Sequence, residues 1–300
     1  MSRPARYGAG GVDRGLFECV INVSEGRDQE RISALAAAGG RWVLDVHSDP
    51  DHHRSVITLA GPAGELVEAA RSVARATVAL VDLGTHAGAH PRLGALDVVP
   101  WVALGGWPVR NGGGAGEAEA RALRDDFARW AARELGLPCF LYGPERTLPA
   151  LRRTAWSTLG PDTGPGRPHP TAGAAAVGVR PVLVAYNLWL ADPDLGTGRR
   201  IAAELRGPGL RTLGLRVGAG VQVSCNLTDP WRVGPADVYD AVGARAPIAR
   251  AELVGLLPRS VLEAAPRRRW GELGIGPSDT IEARLEQAGL DGGRFAAGTG

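Results

Sequence analysis

The sequence predicts an α/β chain of the α+β class, with two subdomains that each resemble a ferredoxin-like unit. Strand-like apolar runs alternate with helix-like periodicity in both halves. Residues 182–258 have the order β-α-β-β-α-β, which is that of a ferredoxin-like unit. A Gly- and Pro-rich region at residues 158–173 precedes them. We therefore expect mixed or antiparallel sheets, each with helices on one face.

The first half combines strand patterns with three helical patterns. Strands are predicted at residues 17–22, 41–47, 55–60, 96–104 and 139–142. Helices are predicted at residues 29–38, 64–83 and 117–135. Asp28 is a suitable N-cap for the first helix, and Gly136 ends the third.

The second half repeats the alternation on a smaller scale. Strands are predicted at residues 182–190, 210–217 and 222–227, with a last apolar stretch ending at residues 252–258. Helices are predicted at residues 197–205 and 236–242. The expected organisation is a flexible leader (1–15), an N-terminal subdomain (16–178), a C-terminal subdomain (179–290) and a flexible tail (291–300).

The composition argues against several classes of protein. A net charge of +2 is too small to predict binding to nucleic acid or to an anionic membrane. No apolar run approaches the ~20 residues that a membrane-spanning helix needs. Cys19, Cys139 and Cys225 lie far apart in apolar runs, which is typical of buried thiols in a reducing compartment. We therefore expect a cytoplasmic protein that acts on small molecules.

All 34 basic side chains are arginine, since the sequence contains no lysine. This excludes a P-loop lysine and Schiff-base catalysis. Any carboxylate ligand would be held by guanidinium groups, which favour bidentate hydrogen bonding.

Histidines cluster in one part of the first half. Five of the six are His47, His52, His53, His86 and His90. His86 and His90 have the spacing of a helical zinc pair, but two glycines and Pro91 predict a loop there. We therefore predict no metal site. A loop fixed by a rigid scaffold often carries a catalytic group, which makes His90 the leading functional residue.

Several motifs resemble the formiminotransferase family. They are HAGAHPRLGALDVVP at residues 86–100, ECVINVSEG at 18–26, DHHRSV at 51–56, RTLP at 146–149, residues 164–173, and VAYNL at 184–188. The resemblance extends from residue 17 to the end of the second subdomain. It implies a two-subdomain transferase, usually a homodimer, with tetrahydrofolate as co-substrate between the subdomains. We expect no cyclodeaminase domain, which follows in animal relatives, within these 300 residues.

The same resemblance implies transfer of a formimino group from N-formimino-L-glutamate to N5 of tetrahydrofolate, giving 5-formiminotetrahydrofolate and L-glutamate. The family's catalytic histidine falls on His90. Its folate-binding loop falls on Gly164, Pro165, Gly166, Arg167, Pro168, His169, Pro170, Thr171, Ala172 and Gly173.

The residue types fit this chemistry. One proton must leave N5 and another must reach the departing nitrogen, and a histidine that titrates near neutrality can transfer both. The candidate substrate-binding or orienting residues are Asn22, Asp45, His47, Arg54, His86, Arg92 and Asp97. Arg54 and Arg92 are candidate clamps because both reactants carry carboxylates. Either aspartate or His47 could orient the imidazole of His90.

Five positions depart from the family's usual pattern: Ile21, His47, His53, Ala89 and Ala172. Three alternatives therefore remain. The chain could be a folate enzyme that uses another one-carbon donor, such as a 5-formyl group. It could be a folate-binding protein without catalytic activity. A metal-dependent hydrolase built on the clustered histidines is the third.

Overall fold

The computed structural model describes residues 15–86, 92–105, 109–110 and 115–290, and these fold into two β-sheets with flanking helices. Within these ranges the strands are β1 (Leu16–Val23), β2 (Val43–Asp49), β3 (Arg54–Pro62), β4 (Leu96–Ala103), β5 (Cys139–Tyr142), β6 (Ala175–Val179), β7 (Val184–Leu190), β8 (Leu210–Val217), β9 (Gly220–Leu227) and β10 (Ile248–Val254). The α-helices are α1 (Gln29–Gly39), α2 (Ala63–Leu80), α3 (Ala115–Leu135), α4 (Leu148–Thr154), α5 (Leu195–Leu205), α6 (Pro235–Gly243), α7 (Arg259–Ala264) and α8 (Ile281–Gln287).

The first sheet contains a ferredoxin-like unit with two additional strands. Its order is β2-β3-β1-β4-β6-β5. The first four strands pair antiparallel, whereas β6 pairs parallel with both β4 and β5. A chain that alternates strands and helices in the order β1-α1-β2-β3-α2-β4 gives this arrangement.

Strand β1 shows how the sequence produces two different faces on this sheet. Alternate apolar residues lie in the core that α2 and α3 cover; they are Phe17, Cys19, Ile21 and Val23. Because side chains alternate along a strand, Glu18, Val20 and Asn22 point to the opposite face. That face is therefore the one on which polar chemistry can lie.

The second sheet repeats the pattern. Its order is β10-β7-β9-β8, and all its strand pairs are antiparallel. Tyr186 of β7 and Val223 of β9 pack in a core with Ile201 of α5 and Val238 of α6. The other face of β9 carries polar side chains, including Ser224.

The predicted fold class is confirmed, including the β-α-β-β-α-β order of the second half. The last strand differs from the prediction, because it is Ile248–Val254 and not the apolar stretch that ends at residues 252–258. This strand lies at the edge of its sheet and most of its residues are partly exposed. It therefore has no need of a continuous apolar sequence.

Some elements have no counterpart in the sequence prediction. Helices α4, α7 and α8 span only six or seven residues each, and β6 consists of Ala, Gly and Val. Leu151 of α4 packs with Phe140 on the sheet face opposite to α2 and α3. Ile281 of α8 packs with Leu44 and Val102, also on that face. Such short helices carry too few residues for a periodic signal.

The predicted leader and tail fall almost wholly outside the described residues, which begin at Gly15 and end at Leu290. Within the described ranges, no helix combines the length and apolar character needed to cross a membrane. The sheet faces opposite to α2 and α3 and opposite to α5 and α6 turn toward each other and enclose a large cleft.

Candidate active site

The cleft between the two sheets has a volume of about 1420 Å³. One wall comes from β1, β3 and β4 of the first sheet, and the facing wall comes from β7, β8 and β9 of the second. Arginine is its most frequent charged lining residue among those described: Arg54, Arg121, Arg152, Arg153, Arg180, Arg206 and Arg211. The acidic lining residues are Glu18, Asp49 and Glu117. This excess of positive charge suits a ligand with several carboxylates.

A buried carboxylate holds two arginines that line the cleft; we call Arg54, Asp97 and Arg152 the Asp97 cluster. Asp97 is fully buried, and its Oδ2 contacts Nη1 of Arg54 and, at 2.7 Å, Nη2 of Arg152. The Leu93 amide donates to Asp97 Oδ1 at 2.7 Å. Arg54 Nε donates to Asn22 Oδ1 at 3.1 Å. Three of the predicted residues, Asn22, Arg54 and Asp97, are therefore brought together.

The charges of the Asp97 cluster fix its protonation state. Burial alone would raise the pKa of Asp97, but Arg54, Arg152 and the Leu93 amide outweigh it and lower that pKa well below its usual range. Burial lowers the pKa of Arg54, and Asp97 opposes this shift. Asp97 is ionised at neutral pH, so it positions two guanidinium groups at the cleft wall.

His86 and His53 form a stacked pair beside the loop that precedes β4. Their ring centroids are 3.9 Å apart, and the His53 Nδ1 accepts from the Gly26 amide at 3.1 Å. Burial, Arg92 and His53 together lower the pKa of His86 to about 4. Burial also lowers the pKa of His53, although Glu25 opposes it. Both imidazole rings are consequently neutral at physiological pH. Arg92 contacts the ring of His86.

His47 and His52 contact other groups. His47 Nε2 lies 3.9 Å from Glu252 Oε1, so this pair connects the two sheets across the cleft. His52 Nε2 lies 3.9 Å from Asp49 Oδ2. Among the described residues, no group of three or more His, Cys, Asp or Glu side chains could hold a metal ion. Of the four described histidines of the cluster, only His53 and His86 contact each other.

Asp45 is directed toward the C-terminal helix of the described chain. Its Oδ1 lies 3.5 Å from Arg284 Nη2 of α8. Burial raises the pKa of Asp45, and Arg284 and His47 oppose that shift. Of the two predicted aspartates, only Asp97 contacts the arginines of the cleft wall. His90, the predicted catalytic residue, lies outside the described residues.

The predicted folate loop at residues 164–173 does not line the cleft in the described part of the chain. It instead braces the segment that carries His86 and Arg92. The Leu83 amide donates to the Thr171 carbonyl, and the Ala95 amide donates to the Ala172 carbonyl, both at 2.9 Å. Within the loop, the Ala172 amide donates to His169 Nδ1 at 3.1 Å. The loop thus fixes both flanks of the segment on which His90 lies.

Gly94 is required where this segment passes the loop. A Cβ at Gly94 would lie 2.0 Å from the Ala174 carbonyl oxygen and 2.6 Å from that of Ala172. We expect Gly94→Ala to lower the free energy of unfolding by about 1–3 kcal/mol, because backbone atoms cannot move aside as a side chain does. Urea unfolding would measure it beside Gly160→Ala, where a Cβ meets nothing within 4 Å. Equal stability of the two variants would contradict the close packing.

Similarity to known proteins establishes the relationship. The formiminotransferase domain, N-terminal subdomain, matches residues 16–180. The glutamate formimidoyltransferase of Thermoplasma acidophilum is 30% identical over 310 residues, which cover 91% of this chain and 98% of that protein. The chain belongs to the formiminotransferase family. The family resemblance that the motifs predicted is therefore confirmed.

Two other members of the formiminotransferase family have a comparable sequence identity to this chain. The glutamate formimidoyltransferase of Streptococcus pyogenes serotype M1 is 31% identical, over 82% of this chain and 90% of that protein. The formimidoyltransferase-cyclodeaminase of Sus scrofa is 35% identical over 83% of this chain and 52% of that protein. This formiminotransferase chain thus spans about half the length of the Sus scrofa protein.

Sequence reasoning missed several polar residues of this formiminotransferase cleft. Arg152 lies on the short helix α4 and is 55 residues from Asp97 in the chain, so nothing local indicated their pairing. Glu18, Thr58 and Gln222 are buried polar residues that line the cleft. Glu18 did carry a signal, because an acidic residue inside a strand with an apolar face must point to the other face.

Proposed function

We propose that this formiminotransferase family member transfers the formimino group of N-formimino-L-glutamate to N5 of tetrahydrofolate. The products are 5-formiminotetrahydrofolate and L-glutamate. The observation that carries the proposal is the arginine-lined cleft, in whose wall Asp97 holds Arg54 and Arg152. Two relatives that are called glutamate formimidoyltransferase, and that align over most of their own length, support it independently.

The charge of the cleft suits both reactants. Formimino-glutamate carries two carboxylates, and the glutamate tail of folate carries further ones. Arg54 and Arg152 both line the cleft, and Asp97 holds their guanidinium groups in fixed positions. A guanidinium that is already positioned loses less conformational freedom when it binds a carboxylate. We assign these two arginines to the donor's carboxylates.

The transfer requires two proton movements, and we assign both to His90. As N5 attacks the formimino carbon, His90 accepts the N5 proton and the N5–C bond forms. The tetrahedral intermediate then breaks its C–N bond to glutamate, and His90 returns the proton to the departing amine. Arg92 and Leu93 flank this loop, and the Leu93 amide donates to Asp97. This contact links the histidine's segment to the arginines of the cleft wall.

The neighbouring histidines suit orienting roles better than proton transfer. His86 has its pKa lowered to about 4 by burial, Arg92 and His53, which leaves too little of the protonated form at neutral pH to serve as an acid. We propose that the stacked His53–His86 pair and the 164–173 loop position the His90 segment. In this proposal the 164–173 loop contributes to folate binding indirectly, because it positions the His90 segment.

A donor comparison tests this function against the 5-formyl alternative. The protein would be incubated with tetrahydrofolate and formimino-glutamate, or with tetrahydrofolate and N-formyl-glutamate, with product formation followed by absorbance. We expect turnover with the formimino donor and at least tenfold less with the formyl donor. A preference for the formyl donor would reject the proposed donor and retain the folate site. His47 makes this comparison necessary, because relatives commonly have aspartate at this position. In this chain His47 contacts Glu252 across the cleft.

A further inference from the structure

Glu18 is a buried carboxyl group at the cleft wall, and the proposed transfer gives it no role. It lies on β1, is 4% exposed and lines the cleft. Burial raises its pKa to about 7, and Arg180 opposes that shift. A carboxyl group buried in this way loses hydration, which a ligand with suitably placed N–H groups would replace.

Thr58 lies beside Glu18 on the same face and provides a second, independent observation. It is 1% exposed, it lines the cleft, and its Oγ1 has no hydrogen-bond partner among the described residues. Thr58 pairs with Val20 across β1 and β3, and Glu18 pairs with Ala60. Glu18 and Thr58 are therefore diagonal neighbours, with Cα atoms roughly 7–8 Å apart. Buried polar groups normally form hydrogen bonds, so this hydroxyl at the cleft wall can bond to a polar atom of a ligand.

The two groups match one edge of a pterin ring. A carboxylate has two acceptor oxygens in one plane, and the 2-amino group and N3–H of the pterin offer two parallel donors. We propose that Glu18 is a specificity-determining residue that binds this edge, with Thr58 contacting a heteroatom of the same ring. The inference rests on the proposed function, since it assigns one part of the folate co-substrate.

The positions of Glu18 and Asn22 on β1 suggest how the pterin ring lies in the cleft. Asn22, which accepts from Arg54, lies four residues farther along β1, or about 13 Å at ~3.3 Å per residue. The 2-amino edge and N5 lie at opposite ends of the bicyclic ring. In our proposal the pterin lies along β1, which directs N5 from Glu18 toward the Asp97 cluster, where the donor's carboxylates are assigned. Val20, between the two, supplies an apolar surface on the same face.

The test uses two fragments of the co-substrate, measured by calorimetry on the full chain. The first is 6-methyltetrahydropterin, which lacks the p-aminobenzoyl-glutamate portion, and the second is p-aminobenzoyl-L-glutamate. We expect Glu18→Gln to weaken binding of the pterin roughly 10- to 100-fold, because charge-assisted hydrogen bonds are lost. Binding of the second fragment stays unchanged. The matched control is Glu117→Gln, a half-exposed carboxylate of the cleft that pairs with Arg121, and it leaves pterin binding unchanged.

The possible failures are distinguishable. If the wild-type protein binds neither fragment, the proposed function is contradicted and this inference falls with it. If it binds the pterin and Glu18→Gln binds equally well, only the role of Glu18 is overturned. Should the variant not fold, the wild-type protein is tested with a pterin whose 2-amino group is replaced by methyl. A loss of roughly 10- to 100-fold supports the assignment, and equal binding of the two pterins overturns it.

Discussion

Replacing Asp97 with Asn is expected to lower the free energy of unfolding by about 3–5 kcal/mol at neutral pH. Asp97 is fully buried and contacts Arg54 and Arg152. The substitution leaves two guanidinium groups close together without the carboxylate that compensates them. Urea unfolding at pH 7, followed by circular dichroism, measures the difference from wild type.

The pH dependence of that difference identifies its cause. The pKa of Asp97 is lowered in the folded protein, so the carboxylate stabilises the fold above its ordinary pKa of about 4. As the pH falls below that value toward the folded-state pKa, the stabilisation is lost and the two proteins converge. Asp240→Asn is the control, because Asp240 pairs with Arg269 at an exposed position and should contribute little. Equal stability of wild type and Asp97→Asn at pH 7 would refute the ionic role of the cluster.

Replacing His90 with Ala is expected to reduce the rate of formimino transfer by about 10²–10⁴-fold, the range for loss of a general acid–base group. Tetrahydrofolate affinity should change little, because the proposed pterin and carboxylate contacts come from other residues. Stopped-flow absorbance gives the rate, and calorimetry gives the affinity.

Two further observations make the His90 experiment decisive. The thermal unfolding midpoint of His90→Ala should match that of wild type, which excludes misfolding as the cause. His90→Gln keeps a polar side chain without a titratable group, so it should be as slow as His90→Ala. A variant with a normal transfer rate would remove His90 from the mechanism and direct attention to the polar groups that line the cleft.

Much of the fold could be predicted because its signals are local. The alternation on β1 and the Asp28 N-cap of α1 are visible within a few residues. Helix α4 was missed because its seven residues make only about two turns. Its one buried residue, Leu151, packs with side chains of β5 and β6. Strand β6 is mostly Ala and Gly, which have low strand propensity, and pairing with β4 and β5 on either side stabilises it.

The candidate site could be predicted only in part, since its contacts join distant parts of the chain. The motifs indicated Asn22, Arg54 and Asp97, and these three meet. The partners of His47 and Asp45 could not be foreseen, because Glu252 and Arg284 are about 200 residues away or more in the sequence. Contacts between such distant residues depend on how the sheets and helices pack together.

The two sheets contribute different parts of the candidate site. The first sheet supplies Glu18, Asn22, Arg54 and Asp97, and helix α4 adds Arg152. The second sheet closes the cleft with the polar face of β9 and contacts the first through Glu252 and His47. Such an arrangement suits the long, flat folate that we propose as co-substrate, because its carboxylates would lie near arginines.

The most direct test of this account is a single-turnover assay with the wild-type protein in excess over tetrahydrofolate. N-formimino-L-glutamate is added, the reaction is quenched at short times, and both products are quantified. The account predicts that 5-formiminotetrahydrofolate and L-glutamate form together in a 1:1 ratio. Tetrahydrofolate that binds but acquires no formimino group would contradict the proposed transfer and leave a folate-binding protein with a different donor or none.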